Sequence, residues 1–129
     1  MLRYIADLFD GDAVKYRRDA IAELARTGVN PRDLHSILPS LGGHRISRLI
    51  LDMRGVGFSS HEAAEILRNA IGRWKAANKR QRATGWPNEK RLRTATFSTH
   101  YAEFTSSEAY FFDACEYAGD EVWRRGPRE

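Results

Sequence analysis

Basic side chains are concentrated in one segment of this 129-residue chain. Residues 68–93 contain nine Lys or Arg residues and one acid, Glu89, so this segment carries a charge of +8. The whole chain carries +4, which leaves −4 for the remainder. Such a cluster produces a strong local field that attracts phosphate groups, and nucleic acid is the phosphate-rich partner that it favours. The alternative interpretation is a solvated helix and basic loop that the chain's own acids neutralise.

Ten residues of this segment are the predicted nucleic-acid contacts. The cations would bind phosphates, whereas Asn69, Arg73 and Asn78 are the candidates for contacts with base edges, because Asn suits adenine and Arg suits guanine. We expect DNA to be favoured over RNA. Trp86 could stack on an unpaired base, or the Trp-Pro pair could pack a turn onto the core. The ten predicted contacts are Arg68, Asn69, Arg73, Lys75, Lys79, Arg80, Arg82, Lys90, Arg91 and Arg93.

The acidic counterpart of this segment lies near the end of the chain. Residues 103–121 contain six acids and no base, and they could fold back to mask the cations. Aromatic residues are also concentrated here, in numbers that exceed what one helix face can bury. Both sides of a helix could pack on the core, or part of this surface could bind a second copy or another protein. The predicted partner-binding residues are Tyr110, Phe112, Tyr117 and Trp123.

Histidine and cysteine patterns predict no catalytic residue, metal site or cofactor. The sequence from His61 to Glu65 begins like the helix motif of zinc proteases, but Glu65 stands where the second His is required. The single cysteine, Cys115, excludes Cys-based zinc sites and an internal disulfide. It has apolar helix neighbours and no basic neighbour in sequence, so we predict a small, buried, unreactive side chain.

Two Arg–His pairs leave one enzymatic alternative open. Six residues separate Arg93 from His100, and six separate Arg54 from His61. An Arg followed a few residues later by a His resembles the signature of HEPN-type helical ribonucleases. This resemblance implies an imidazole acting as acid or base and a guanidinium on the phosphate.

Helical periodicity dominates the rest of the sequence. Apolar residues recur at helical spacing over residues 2–9, 12–26, 46–53 and 111–122. A further helix starts at Asn30-Pro31, where Asn caps and Pro takes the first helical position.

The clearest predicted helix begins at a capping-box pattern formed by Ser59 and Glu62. It is expected to run about six turns, to Arg82 or Ala83, and Gly85 stops it. One predicted face is apolar and consists of Ala63, Ile66, Leu67, Ala70, Ile71 and Trp74. Another is mainly basic and consists of Arg68, Gly72, Lys75, Lys79 and Arg82.

Two short stretches carry a family resemblance. Gly57-Phe58-Ser59-Ser60 is a Gly-containing turn with a hydroxyl cap, and residues 62–67 begin a helix with an acid-Ala-Ala pattern. With these features, residues 46–82 resemble the core of helix-turn-helix DNA-binding domains, which implies DNA binding through a helix. The usual pattern breaks again after a residue such as Leu67, whereas Gly72 alone does not stop the helix here. A plain helical hairpin with one basic helix is the alternative.

Residues 88–104 are ambiguous, because their Thr and Ser residues weaken a helix and allow a loop or a short strand. Thr105 and Glu108 form a second capping-box pattern. The predicted fold is all-α, a single compact bundle of five or six helices with a helix-turn-helix-like hairpin. It occupies residues 1–123, and a frayed tail covers residues 124–129.

Length and composition restrict the class of protein. The length fits one domain, and no apolar run approaches the ~18 residues of a membrane helix. A lone cysteine and an N-terminus without a secretory pattern predict a cytoplasmic protein. The expected function is a small non-enzymatic nucleic-acid-binding protein of a bacterium, plasmid or phage, with a regulatory, packaging or transfer role. The alternative is an adaptor or inhibitor that docks on other proteins through its aromatic and acidic C-terminal helix.

Overall fold

The computed structural model describes residue 22 and residues 28–39, 43–97 and 101–125, with the side chains of residues 43–48 left out. The helix predicted over residues 2–9 lies outside this part of the chain, as does the one predicted over residues 12–26 apart from residue 22, which is helical. Residues 126–129 of the predicted tail also lie outside it.

Four helices lie in the described residues: α1 (Pro31–Ile37), α2 (Gly43–Gly55), α3 (Ser60–Arg80) and α4 (Ser106–Trp123). Three of them begin at the caps that the sequence predicts. The Asn30 side chain accepts a hydrogen bond from the backbone N–H of Arg32, at 3.0 Å. Ser59 and Thr105 each form a complete capping box with the Glu three residues later. No described helix is both long and apolar enough to cross a membrane.

A β-hairpin lies between α3 and α4. Strands β1 (Lys90–Thr94) and β2 (Tyr101–Thr105) pair antiparallel, with Arg91 opposite Phe104 and Arg93 opposite Ala102. The predicted all-α bundle of five or six helices is therefore wrong, because the described residues form four helices and a two-stranded antiparallel sheet. The strand alternative for residues 88–104 is the one that the structure contains.

The side chains of the hairpin invert the usual alternation of apolar inner and polar outer residues, so the sequence pattern did not identify its strands. Residues directly opposite each other share a face, so Arg91 and Arg93 lie on the same face as the buried Phe104. The apolar Leu92 lies on the other face and is 70% exposed. A strand with arginines on its inner face and leucine on its outer face lacks the apolar period of two that predicts a half-buried strand.

The core lies between α3 and α4, which run antiparallel. The Trp74 indole N–H donates to the Ser107 hydroxyl at 3.0 Å near one end of the pair. Arg125 binds Glu65 near the other end. Between these ends both helices contribute completely buried side chains, among them Ile66, Leu67, Phe111 and Cys115.

The connection from α2 to α3 is a short turn in which Gly57 has a φ of 110°, a conformation that suits glycine. Helix α3 then continues without interruption past Leu67 and Gly72 to Arg80. The second break of the helix-turn-helix pattern is therefore missing, as the sequence indicates.

The predicted faces of α3 are confirmed. Its apolar residues Ala63, Ile66, Leu67, Ala70 and Ile71 are buried, and Trp74 is half-buried. The cations predicted on its other face are exposed, namely Arg68, Lys75, Lys79 and, in the turn that follows, Arg82.

We expect Leu67→Ala to lower the free energy of unfolding by about 2–5 kcal/mol, because it leaves a cavity in a completely buried position. Lys79→Ala in the same helix should change the free energy of unfolding by less than about 0.5 kcal/mol. Urea unfolding of both variants measures the difference. A loss below half a kcal/mol for Leu67→Ala would contradict the assigned core.

Candidate nucleic-acid interface

The cations of α3 form two rows on the flanks of its exposed face. An α-helix advances about 100° per residue, so Arg68, Lys75 and Lys79 fall within about 40° of one another. Arg73 and Arg80 form a second row, about 130° away around the helix axis. All five side chains are exposed. We call these sets the first and second cation rows.

The surface between the two rows carries no charge and has only short side chains. It carries Asn69, Gly72 and Ala76, all of them exposed. A Cβ added at Gly72 would meet no other atom within 4 Å, so the helix backbone is open to solvent at this point.

Each row lies beside a neighbouring helix. In the first row, the Lys75 Nζ lies 3.2 Å from Asp33 of α1. In the second row, the Arg73 guanidinium lies 4.4 Å from the ring centroid of Tyr117 of α4. Ion pairs between exposed side chains contribute little free energy, so the Asp33 contact orients Lys75 without removing it from the surface.

The predicted base-contacting amides already accept hydrogen bonds within the protein. The Asn69 Oδ1 accepts from the Arg73 Nε at 2.7 Å, and the Asn78 Oδ1 accepts from the Trp86 indole N–H at 3.0 Å. Trp86 also packs against Trp74, with ring centroids 6.2 Å apart, and against Tyr110, at 5.5 Å. The interpretation of the Trp-Pro pair as a packed turn is therefore confirmed.

Four cations at the end of α3 and beyond it form no ion pair with any acid in the described part of the chain. These residues are Lys79, Arg80, Arg82 and Lys90, and all are exposed. Lys79 and Arg80 lie in the last turn of α3, where the helix dipole favours positive charge. A structural role at the helix end and a phosphate-binding role are compatible for these two.

Arg93 is held inside the structure. Its Nη1 donates to the Ala109 carbonyl at 3.1 Å and to Asp113 at 2.6 Å, and its Nη2 donates to Glu116 at 2.7 Å. Its Nε donates to the Thr94 carbonyl at 3.1 Å, and the side chain is only 17% exposed. We therefore withdraw Arg93 from the predicted nucleic-acid contacts. Sequence could not show this role, because its acceptors on α4 lie 16 to 23 residues further along the chain.

Two acids of α4, Asp113 and Glu116, bind the hairpin. Asp113 lies 3.8 Å from Arg91 and also binds Arg93. Glu108 belongs to the N-terminal cap of α4, where its carboxylate accepts a hydrogen bond from the Thr105 backbone N–H at 3.0 Å. Over the described residues, no cation of α3 forms an ion pair with an acid of α4, so the predicted masking is not observed there.

The four predicted partner-binding residues have different surroundings. Phe112 is completely buried, with its ring centroid 4.8 Å from that of Phe104, so we withdraw it from this set. The missed hairpin is the reason, because Phe104 of β2 covers this side of α4. Tyr110 is half-buried, whereas Tyr117 and Trp123 are 53% and 50% exposed.

The Arg–His pairs have different surroundings. The guanidinium of Arg93 is bound as described, and His100 lies outside the described residues. Arg54 and His61 are exposed near the α2–α3 turn. Among the described residues, no group of three His, Cys, Asp or Glu side chains could hold a metal ion.

Three of the described groups have displaced pKa values. The hydrogen bond to Glu65 raises the pKa of Arg125. The hydrogen bond from Arg125 lowers the pKa of Glu65, which lies at the end of α3 remote from the unpaired cations. Burial raises the pKa of the Cys115 thiol, which agrees with the prediction of an unreactive side chain.

Comparison with protein-family models found no match to this sequence, and comparisons with curated proteins and with solved structures found none either. We therefore infer the function from the geometry alone.

We expect Arg93→Ala to lower the free energy of unfolding by about 1.5–3 kcal/mol, because it removes hydrogen bonds to two carboxylates and a carbonyl. Arg93→Lys should restore only part of the loss, because an ammonium group cannot reproduce the planar fork. Arg91→Ala, at the more exposed pair, should cost less than about 1 kcal/mol. Equal losses for Arg91→Ala and Arg93→Ala in urea unfolding would show that Arg93 has no special role.

We expect the Cys115 thiol of the native protein to resist a thiol reagent such as 5,5′-dithiobis(2-nitrobenzoate), because burial disfavours the thiolate. Labelling should become complete in denaturant. Rapid labelling of the native protein at neutral pH, with circular dichroism unchanged, would contradict the buried position.

Proposed function

We propose that this chain is a small non-enzymatic protein that binds nucleic acid, DNA in preference to RNA, through phosphate contacts made by α3 and the turn after it. One observation carries the proposal: the α3 cations are exposed along a single helix, while Asp113 and Glu116 of α4 bind Arg93 of the hairpin. A regulatory, packaging or transfer role and a cytoplasmic location belong to the same proposal.

The charge pattern supports phosphate binding rather than general solubility. Solubility needs charges of mixed sign spread over the surface. Here Arg91 and Arg93 of the hairpin are paired with acids, whereas the last turn of α3 and the following turn present Lys79, Arg80 and Arg82 without an acidic partner in the described residues. A local excess of positive charge of this kind attracts a polyanion.

The salt dependence of binding tests the proposal. Each phosphate contact releases condensed counterions, so log K for duplex DNA should fall with log[salt] at a slope of about −0.9 per contact. Four to six engaged side chains predict a slope of about −4 to −5. Fluorescence anisotropy titrations of labelled DNA at several salt concentrations measure it. Absence of binding to both DNA and RNA at low salt would refute the proposed function.

A charge-matched pair of variants locates the contact surface. Lys79→Glu/Arg80→Glu should weaken binding to all sequences alike. It should also make the slope of log K against log[salt] less steep, by the contribution of about two phosphate contacts. Arg32→Glu/Arg124→Glu makes the same change in net charge at exposed positions outside residues 68–93 and serves as the control. Equal weakening by the two double variants would show that net charge, and not the α3 surface, drives binding.

The adaptor alternative has one observation in its favour, the exposure of Tyr117 and Trp123 on α4. Aromatic residues are enriched in protein interfaces. If α4 docks on a second copy, Trp123→Glu should change the sedimentation of the protein without changing its circular dichroism. Unchanged sedimentation, combined with salt-dependent DNA binding by both proteins, would favour the nucleic-acid function.

A further inference from the structure

The two cation rows of α3 indicate which form of nucleic acid fits this surface. Resting on the proposed function, we propose that α3 lies in the major groove of duplex DNA, with the first row on the phosphates of one strand and the second row on those of the other.

The separation of the rows carries this inference. The rows are about 130° apart on a helix whose diameter with side chains is about 10–12 Å. The major groove of B-form DNA is about 12 Å wide and has a line of phosphates on each side. A single strand offers one line of phosphates, so it would engage one row and leave the other unpaired. The deep, narrow major groove of duplex RNA does not admit a helix.

The surface between the rows allows the helix to approach closely. Gly72 and Ala76 project no more than a methyl group from the helix there, and Asn69 is neutral. The centre of the contact therefore carries no charge that must be desolvated. The positive charge stands at the two edges, where the groove has its phosphates.

The charge along α3 also sets the limits of the contact. The first two turns of α3 carry Glu62 and Glu65, and Glu65 binds Arg125. The cations begin at Arg68, and the last helical one is Arg80, about 18 Å further along the axis. The groove would therefore be occupied by the third and later turns of α3, with the two acidic turns outside it.

Added bulk between the rows tests close approach. Gly72→Leu replaces a helical glycine where an added Cβ meets no atom within 4 Å, so the fold should be retained. It should nevertheless weaken binding to duplex DNA roughly tenfold, because the side chain would occupy space that the groove needs. Gly55→Leu is the matched control, a helical glycine on α2 that is equally open, and should change affinity by less than about twofold. Circular dichroism melting checks that both variants are folded.

Neighbouring charge reversals test the use of both rows. Lys79 and Arg80 are adjacent in sequence but belong to different rows, so Lys79→Glu and Arg80→Glu should weaken binding to duplex DNA to a similar extent. Wild-type affinity should be higher for a duplex than for single-stranded DNA of the same length or for duplex RNA.

Three outcomes would overturn the groove inference while leaving phosphate binding intact: unchanged affinity of Gly72→Leu, sensitivity to only one of the two reversals, or tighter binding of single strands. If wild-type protein binds none of these nucleic acids at low salt, the proposed function and the groove inference fail together.

Discussion

The hydrogen bonds of Arg93 to α4 determine how charge is distributed over the rest of this protein. Through them the Arg93 guanidinium binds Asp113 and Glu116, the two acids in the middle of α4, and so attaches the hairpin to that helix. A partly buried guanidinium needs such partners, because an unpaired charge in this position would be costly. These two acids are thus paired within the hairpin and α4. The cations of α3 are left facing solvent, where an external polyanion can reach them.

The antiparallel packing of α3 on α4 converts this charge distribution into an oriented surface. The buried side of α3 is fixed by completely buried residues such as Leu67 and Ala70. Its opposite side must then face outward over its whole length. Asp33 of α1 and Tyr117 of α4 contact one cation in each row. The cations are therefore held at the edges of the exposed face, and its centre carries only small or neutral residues.

Sequence patterns were sufficient for the helices and insufficient for the hairpin. The caps at Ser59 and Thr105 and the apolar stripe of α3 are local features, and the structure contains them as predicted. The strands depend on distant partners: the inner position of Arg93 is explained by its contacts with α4, and Phe104 of β2 packs against Phe112. The exposed cations of α3 could be predicted from periodicity, whereas the neutralisation of Arg91 and Arg93 could not, because it depends on acids about twenty residues further along the chain.

The position of Thr105 has a mechanical consequence. It is the last residue of β2 and also the N-cap of α4, so no linker separates strand from helix. Its hydroxyl accepts a hydrogen bond from the Glu108 backbone N–H, and Arg93 fastens the neighbouring strand to the same helix further along. The hairpin is therefore attached to α4 at two points, with no flexible residue between β2 and the helix. We expect the hairpin and α4 to unfold locally and refold as one cooperative unit.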